Sequence, residues 1–235
     1  MGVGPGRPRI GILLTGQTLA PIRERFGDFA RWFQERAGAP AEYQVHALHK
    51  GDAVPSTRDS DGWIISGSPD SVNDPLAWLP PAKERIAQAV AAGHPILGVC
   101  FGHQLLAAAT GGEVGLNTAG WELGAGHVQL TAAGAGSPLF HGLDPRVPVY
   151  ESHQELVTRL PDGAEVLAAN EMGLQSFRLG AHAFGVQFHP EFSAQIARMY
   201  VKLRMGDGEA AAAISEHHGD PSHEVLTNFI RFILQ

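Results

Sequence analysis

The stretch Ile96-Leu97-Gly98-Val99-Cys100-Phe101-Gly102-His103-Gln104-Leu105-Leu106-Ala107-Ala108-Ala109 decides the architecture. Its apolar opening, Ile96 to Val99, follows the breaker Gly93-His94-Pro95. A short apolar run bounded in this way reads as a buried strand. Gly102 to Ala109 reads as a helix, closed by Thr110-Gly111-Gly112. Cys100 stands between the two, inside a Gly-x-Cys-x-Gly turn. Such a turn is the thiol counterpart of the Gly-x-Ser-x-Gly elbow, in which a sharp strand-to-helix corner exposes the nucleophile.

Working outward, the preceding sequence repeats the same alternation. Arg9–Leu14 and Gly62–Ser66 read as further short apolar strands, and Tyr43, Val45 and Ala47 alternate as another. Pro21 to Arg36 reads as one helix, with Ile22, Phe26, Phe29 and Phe33 on a single face and Gly38-Ala39-Pro40 as its stop. Pro80-Pro81 opens another, with Ile86, Ala89 and Val90 as its apolar face. Strands alternating with helices imply βαβ units and a mostly parallel sheet. Downstream, strands are expected at Gly126–Thr131, Val147–Glu151, Glu165–Ala169, Leu174–Arg178 and Ala183–Gln187, several in antiparallel pairs. From Ser193 the chain reads as helical in three segments, the last being Pro221–Gln235. The expectation is an α/β fold: an open, mostly parallel sheet flanked by helices, a small antiparallel portion and a helical C-terminal extension over about 193–235. Residues 1–235 are expected to form one domain.

The chain has 235 residues, one cysteine, and 17 basic against 24 acidic residues, for a net charge of −7. One cysteine excludes an intrachain disulfide and a multi-thiol metal site. An acidic chain is a poor polyanion binder, so no nucleic-acid partner is expected. No apolar run approaches the ~20 residues of a membrane span, and no signal sequence stands out near Met1. A cytoplasmic location and no membrane partner are therefore expected.

Cys100 needs a base and an orienting group. Gly185-Val186-Gln187-Phe188-His189-Pro190-Glu191 offers both, again where an apolar strand ends. His189 can take and return a proton, and Glu191 can hold the other ring nitrogen. A helix N-terminus behind Cys100 favours the thiolate and supplies N–H donors. The alternatives are an inert buried cysteine and a surface turn carrying a chance His–Glu pair.

Together, residues 98–106 and 185–192 resemble the two signature blocks of class I, triad-type glutamine amidotransferases. The resemblance covers about residues 9–200 and extends to a standalone branch that includes γ-glutamyl peptidases, and to the glutaminase domain of GMP synthase. It implies a flavodoxin-like fold and a Cys100–His189–Glu191 triad. Cys100 would attack the γ-carboxamide of glutamine or a γ-glutamyl amide, forming a thioester that water cleaves. Gly67, in Ser66-Gly67-Ser68-Pro69, and Phe101 would supply the oxyanion N–H groups, although the commoner form of that loop is Gly-Gly-Pro. Gln104, Ser152 and His153 would line the glutamine pocket, with a structural histidine as the other reading of His153. No cofactor and no metal are implied. His217-His218 and His223 read as solvated surface, and Trp121-Glu122-Leu123-Gly124 reads as structural. Three functions follow: a glutaminase supplying ammonia to a separate synthetase subunit, a standalone γ-glutamyl peptidase, or an inactive binding module. Intact Cys100, His189 and Glu191 argue against the last.

Overall fold

A computed structural model describes residues 7–206 and 221–235 of the chain. The first half runs β1 (Arg9–Leu14), α1 (Ala20–Phe26), α2 (Phe29–Arg36), β2 (Glu42–Ala47), β3 (Gly62–Ile65), α3 (Leu79–Ala91), β4 (Ile96–Val99) and α4 (Phe101–Ala109). The second half adds β5 (Glu113–Leu116), β6 (Glu122–Leu130), α5 (Ala132–Ala135), β7 (Arg146–His153), β8 (Glu155–Arg159), β9 (Ala164–Asn170), β10 (Gly173–Leu179), β11 (Ala183–Val186), α6 (Ala194–Met205) and α7 (Glu224–Ile233). Among the described residues no helix is long and apolar enough to cross a membrane.

Nine strands form one sheet in the order β2-β1-β3-β4-β11-β10-β9-β6-β7. The β2-β1-β3-β4-β11 part is parallel, and the rest is antiparallel. The expected antiparallel portion therefore continues the main sheet. β5 and β8 pair separately. Along β3 and β4 the side chains divide by parity: Ile64, Leu97 and Val99 join a core with Ile22, Phe29, Phe33 and Phe229, while Trp63, Ile65 and Ile96 join one with Ile86, Phe101 and Leu105. Helices α1, α2, α6 and α7 cover the first face, and α3 and α4 the second. Because both faces are buried, these strands read as continuous apolar runs. Each fully buried side chain of this size contributes about 1.5–3 kcal/mol.

The single helix expected over 21–36 is two helices. Gly27 adopts φ 82°, a left-handed conformation that ends α1. The Asp28 carboxylate then caps α2 by accepting from Phe29 N–H at 2.9 Å. The apolar spacing survives because Ile22, Phe29 and Phe33 all reach the same core. β5 and β8 were not anticipated, and β6 begins at Glu122 rather than Gly126. Of the tail, His217 and His218 lie outside the described residues, while His223 sits 3.4 Å from Glu224 and is partly exposed.

Candidate active site

The two sequence blocks meet because β4 and β11 are adjacent parallel strands. Gly98 pairs with Gly185 and Val99 with Val186. The two chains therefore leave the sheet side by side at its carboxyl edge, where open α/β sheets place their ligands. Gly185 also leaves room for the next helix, since a Cβ there would lie 2.6 Å from His103 Nδ1. His103 is wholly buried against Phe177, and burial pushes its pKa down to about 3. It is a neutral packing element.

Cys100 is 6 % exposed and holds φ 52°, ψ −105°, alone among the described non-glycine residues in having positive φ. Its N–H donates to Val186 C=O at 2.9 Å, and its C=O accepts from Gln104 N–H at 3.1 Å. The flanking glycines are required by contact. A Cβ on Gly98 would overlap the Gly102 carbonyl, and one on Gly102 the Ile65 carbonyl. The strain at Cys100 is held by this packing, and the Phe101, Gly102 and His103 N–H groups open α4 with no intrahelical acceptor.

His189 and Glu191 follow β11. His189 N–H donates to Tyr150 C=O at 2.8 Å, which ties the block to β7. Its ring stacks on Phe192 at 3.9 Å between centroids. Nδ1 lies 2.8 Å from Glu191 Oε1, leaving the other ring nitrogen for Cys100. Burial pushes the imidazole pKa down, but the charges of Glu191 and Cys100 and the hydrogen bonds to them outweigh it and hold it up at about 10. Glu191 is fully buried.

Gly67 is buried beside this pair, and a Cβ on it would meet His189 Cε1 at 3.2 Å. Thr15 Oγ1 donates to Ser66 C=O at 2.9 Å and to Gly67 C=O at 3.0 Å. In a trans peptide the N–H points opposite the carbonyl, so the Ser66 anchor turns the Gly67 N–H away from β1. Gln104, Ser152 and His153 line a cavity of about 330 Å³ with Cys100, Phe101 and Glu155. Gln104 Nε2 donates to Glu155 C=O at 2.9 Å and to Gln187 Oε1 at 3.1 Å, so its amide is held in place. A larger cavity of about 650 Å³, between Leu48, Val54, Trp78 and Arg85, contains no nucleophile.

The structure also assembles residues that the sequence reading missed. His153 Nε2 lies 3.1 Å from Glu122 Oε2 and 3.3 Å from Glu151 Oε2, and its Nδ1 lies 3.0 Å from the Glu155 carbonyl. The two carboxylate contacts are close in distance but poorly directed as hydrogen bonds. Burial lowers the His153 pKa, but the two carboxylates outweigh it and hold the ring up at about 10. Burial pushes Glu151 up to about 7 against the pull of His153. Asn170 and Gln175 donate to Glu122. The ligand atoms of Glu122, Glu151 and His153 lie within 4.8 Å of one another and could hold a metal ion, a charge that the imidazolium already supplies. The stretch 121–124, read as structural, thus reaches the site. Glu122 faces His153, and Trp121 stands at the cavity rim under the Arg204 guanidinium at 4.2 Å.

Comparison with known proteins places this geometry among relatives. The family described as glutamine amidotransferase class-I matches residues 27–202. A GMP synthase [glutamine-hydrolyzing] of Aeropyrum pernix is 38% identical over 142 residues, 60% of this chain and 25% of that protein. Gamma-glutamyl peptidase 3 of Arabidopsis thaliana is 30% identical over 141 residues, 58% of this chain and 56% of that protein. A gamma-glutamyl-L-1-hydroxyisopropylamide hydrolase of Pseudomonas sp is 37% identical over 175 residues, 72% of this chain and 56% of that protein. The chain thus spans about a quarter to a half of the length of these relatives. In fold, it is similar to a glutamine amidotransferase from Thermotoga maritima, with TM-score 0.78 and 18% identity, covering 98% of this chain and all of that one.

Proposed function

Because this chain belongs to the class-I glutamine amidotransferase family, we propose that it hydrolyses the γ-carboxamide of glutamine through a thioester on Cys100. One observation carries the reading. His189 is held by Glu191 at 2.8 Å on one nitrogen and is available to Cys100 on the other, at the end of two paired strands. A proton moves from the Cys100 thiol to His189, and the sulfur adds to the γ-carbonyl carbon. The oxygen takes the negative charge and is met by the N–H groups of Gly67 and Phe101, donors fixed before reaction. Collapse of the adduct breaks the C–N bond, and His189 gives its proton to the departing nitrogen, releasing ammonia. Water, losing a proton to His189, attacks the thioester. Glutamate leaves and the thiol is restored. Gln104, Ser152 and His153 would hold the glutamyl portion in the 330 Å³ cavity.

Residues 1–235 are proposed to act as one such unit. A separate synthetase subunit would use the ammonia, a reading supported by the GMP synthase relative. The peptidase and amide-hydrolase relatives support a second reading, in which a γ-glutamyl peptide or alkylamide is the substrate and the leaving group is a substituted amine. The chemistry up to the thioester is the same. Alkylation by a glutamine-mimicking diazo-ketone, read by mass spectrometry, tests the shared step. A single adduct on Cys100 is expected, and a folded protein that takes none overturns both readings.

A further inference from the structure

Resting on the catalytic reading above, we infer that Leu19, Phe29 and Tyr200 form a steric gate that admits a leaving group no larger than ammonia. The observation is a pair of unequal spaces on the two sides of Cys100. The 330 Å³ cavity contains Gln104, His153 and Glu155 but not His189. His189 lines a separate crevice of about 20 Å³, walled by Leu19, Phe29 and Tyr200 and closed by Gln17 and Pro69. The leaving nitrogen takes its proton from His189, so it must lie within hydrogen-bond reach of that ring, inside the crevice. The glutamyl chain then occupies the larger side.

A volume of about 20 Å³ is little more than the ~10–15 Å³ that one water needs. Ammonia is a molecule of that size. An amino-acid or alkyl substituent on the same nitrogen would drive into the Phe29 and Tyr200 rings. The walls do not yield easily. Phe29 is 2 % exposed and packs edge-on against Trp32 at 5.3 Å, and Tyr200 Oη is tied to Thr18 Oγ1 at 2.6 Å. The same crevice explains the second half-reaction, because the water that cleaves the thioester takes the place that ammonia has left. The gate thus separates two leaving-group sizes that the relatives of this chain share between them.

The test compares kcat/KM for glutamine and for γ-glutamylalanine in the full chain, in Leu19→Ala and in the milder Phe29→Leu. The wild-type protein is expected to prefer glutamine by about tenfold or more, the discrimination that one tight apolar pocket provides. At least one variant is expected to narrow that preference by about tenfold. The gate is overturned if the wild-type protein turns over both substrates alike, or if both folded variants keep its preference. Should Cys100 alkylate while neither substrate turns over, protection from alkylation decides. Better protection by glutamine supports the gate, and equal or better protection by γ-glutamylalanine overturns it. Failure of the catalytic reading is distinct, because Cys100 would then take no label at all.

Discussion

Two buried histidines near Cys100 carry raised pKa values of about 10, yet they are built differently. His189 has one nitrogen on Glu191 and the other facing the sulfur. His153 has one nitrogen on a backbone carbonyl and the other between Glu122 and Glu151. Similar proton affinities thus serve different ends. A histidine with a nitrogen left for the nucleophile can move a proton, whereas one engaged at both nitrogens is a fixed positive charge that neutralises a buried acidic pair. A titration value alone would not separate them, but the partner of each nitrogen does.

The strongest expected effect lies with the nucleophile both rings face. Cys100→Ala should remove glutamine hydrolysis to background in a coupled glutamate assay, with its circular dichroism spectrum unchanged. Residual turnover above background would reject the thioester. Next, His189→Gln should lower kcat by about 10²–10⁴, while His153→Gln should act mainly through KM. Equal losses of kcat would break the distinction between the two rings. In denaturant melts His153→Ala should cost about 3–5 kcal/mol, because Glu122 and Glu151 are left facing each other without a counter-charge. A loss below about 1 kcal/mol would show that the acidic pair is neutral at rest.

The smallest effect concerns pH. Glu151 binds its proton more tightly in the fold, at about 7 against an ordinary 4.5, so its contribution to stability falls as pH rises through that window. His153, raised from 6.5 to about 10, contributes stability that is complete below about 6.5 and is lost as pH rises through 10. Glu151→Gln removes the first dependence. Its Tm relative to wild type should therefore climb between pH 5 and 7 and then level. A flat difference would mean that Glu151 is ionised throughout.

The contrast between the two histidines also marks what the sequence made legible. Cys100, His189 and Glu191 each follow a short apolar strand, and β4 and β11 are parallel neighbours in register, so local pattern and final position agree. Glu122 and Glu151 owe their place to antiparallel pairing of β6 with β7, which sets Glu122 against His153 and Glu151 against Gly124. That register joins residues about thirty apart and leaves no local periodicity. β5 escaped notice because Glu113, Val114, Gly115 and Leu116 are all at least partly exposed, so burial imposes no alternation on them. The break at Gly27 was hidden because both helices present the same apolar face.

The backbone at Cys100 has a consequence for how this protein would evolve. Positive φ costs an L-residue with a Cβ roughly 1–2 kcal/mol, and glycine almost nothing. Cys100→Gly is therefore expected to melt above the wild-type protein. A population of variants screened only for thermal endurance would drift toward losing its one thiol, and the sequence that survives best on a heat block would be the one with no reaction left to perform. That Cys100 is present at all, at the one described non-glycine position with positive φ, points to selection for chemistry working against selection for endurance.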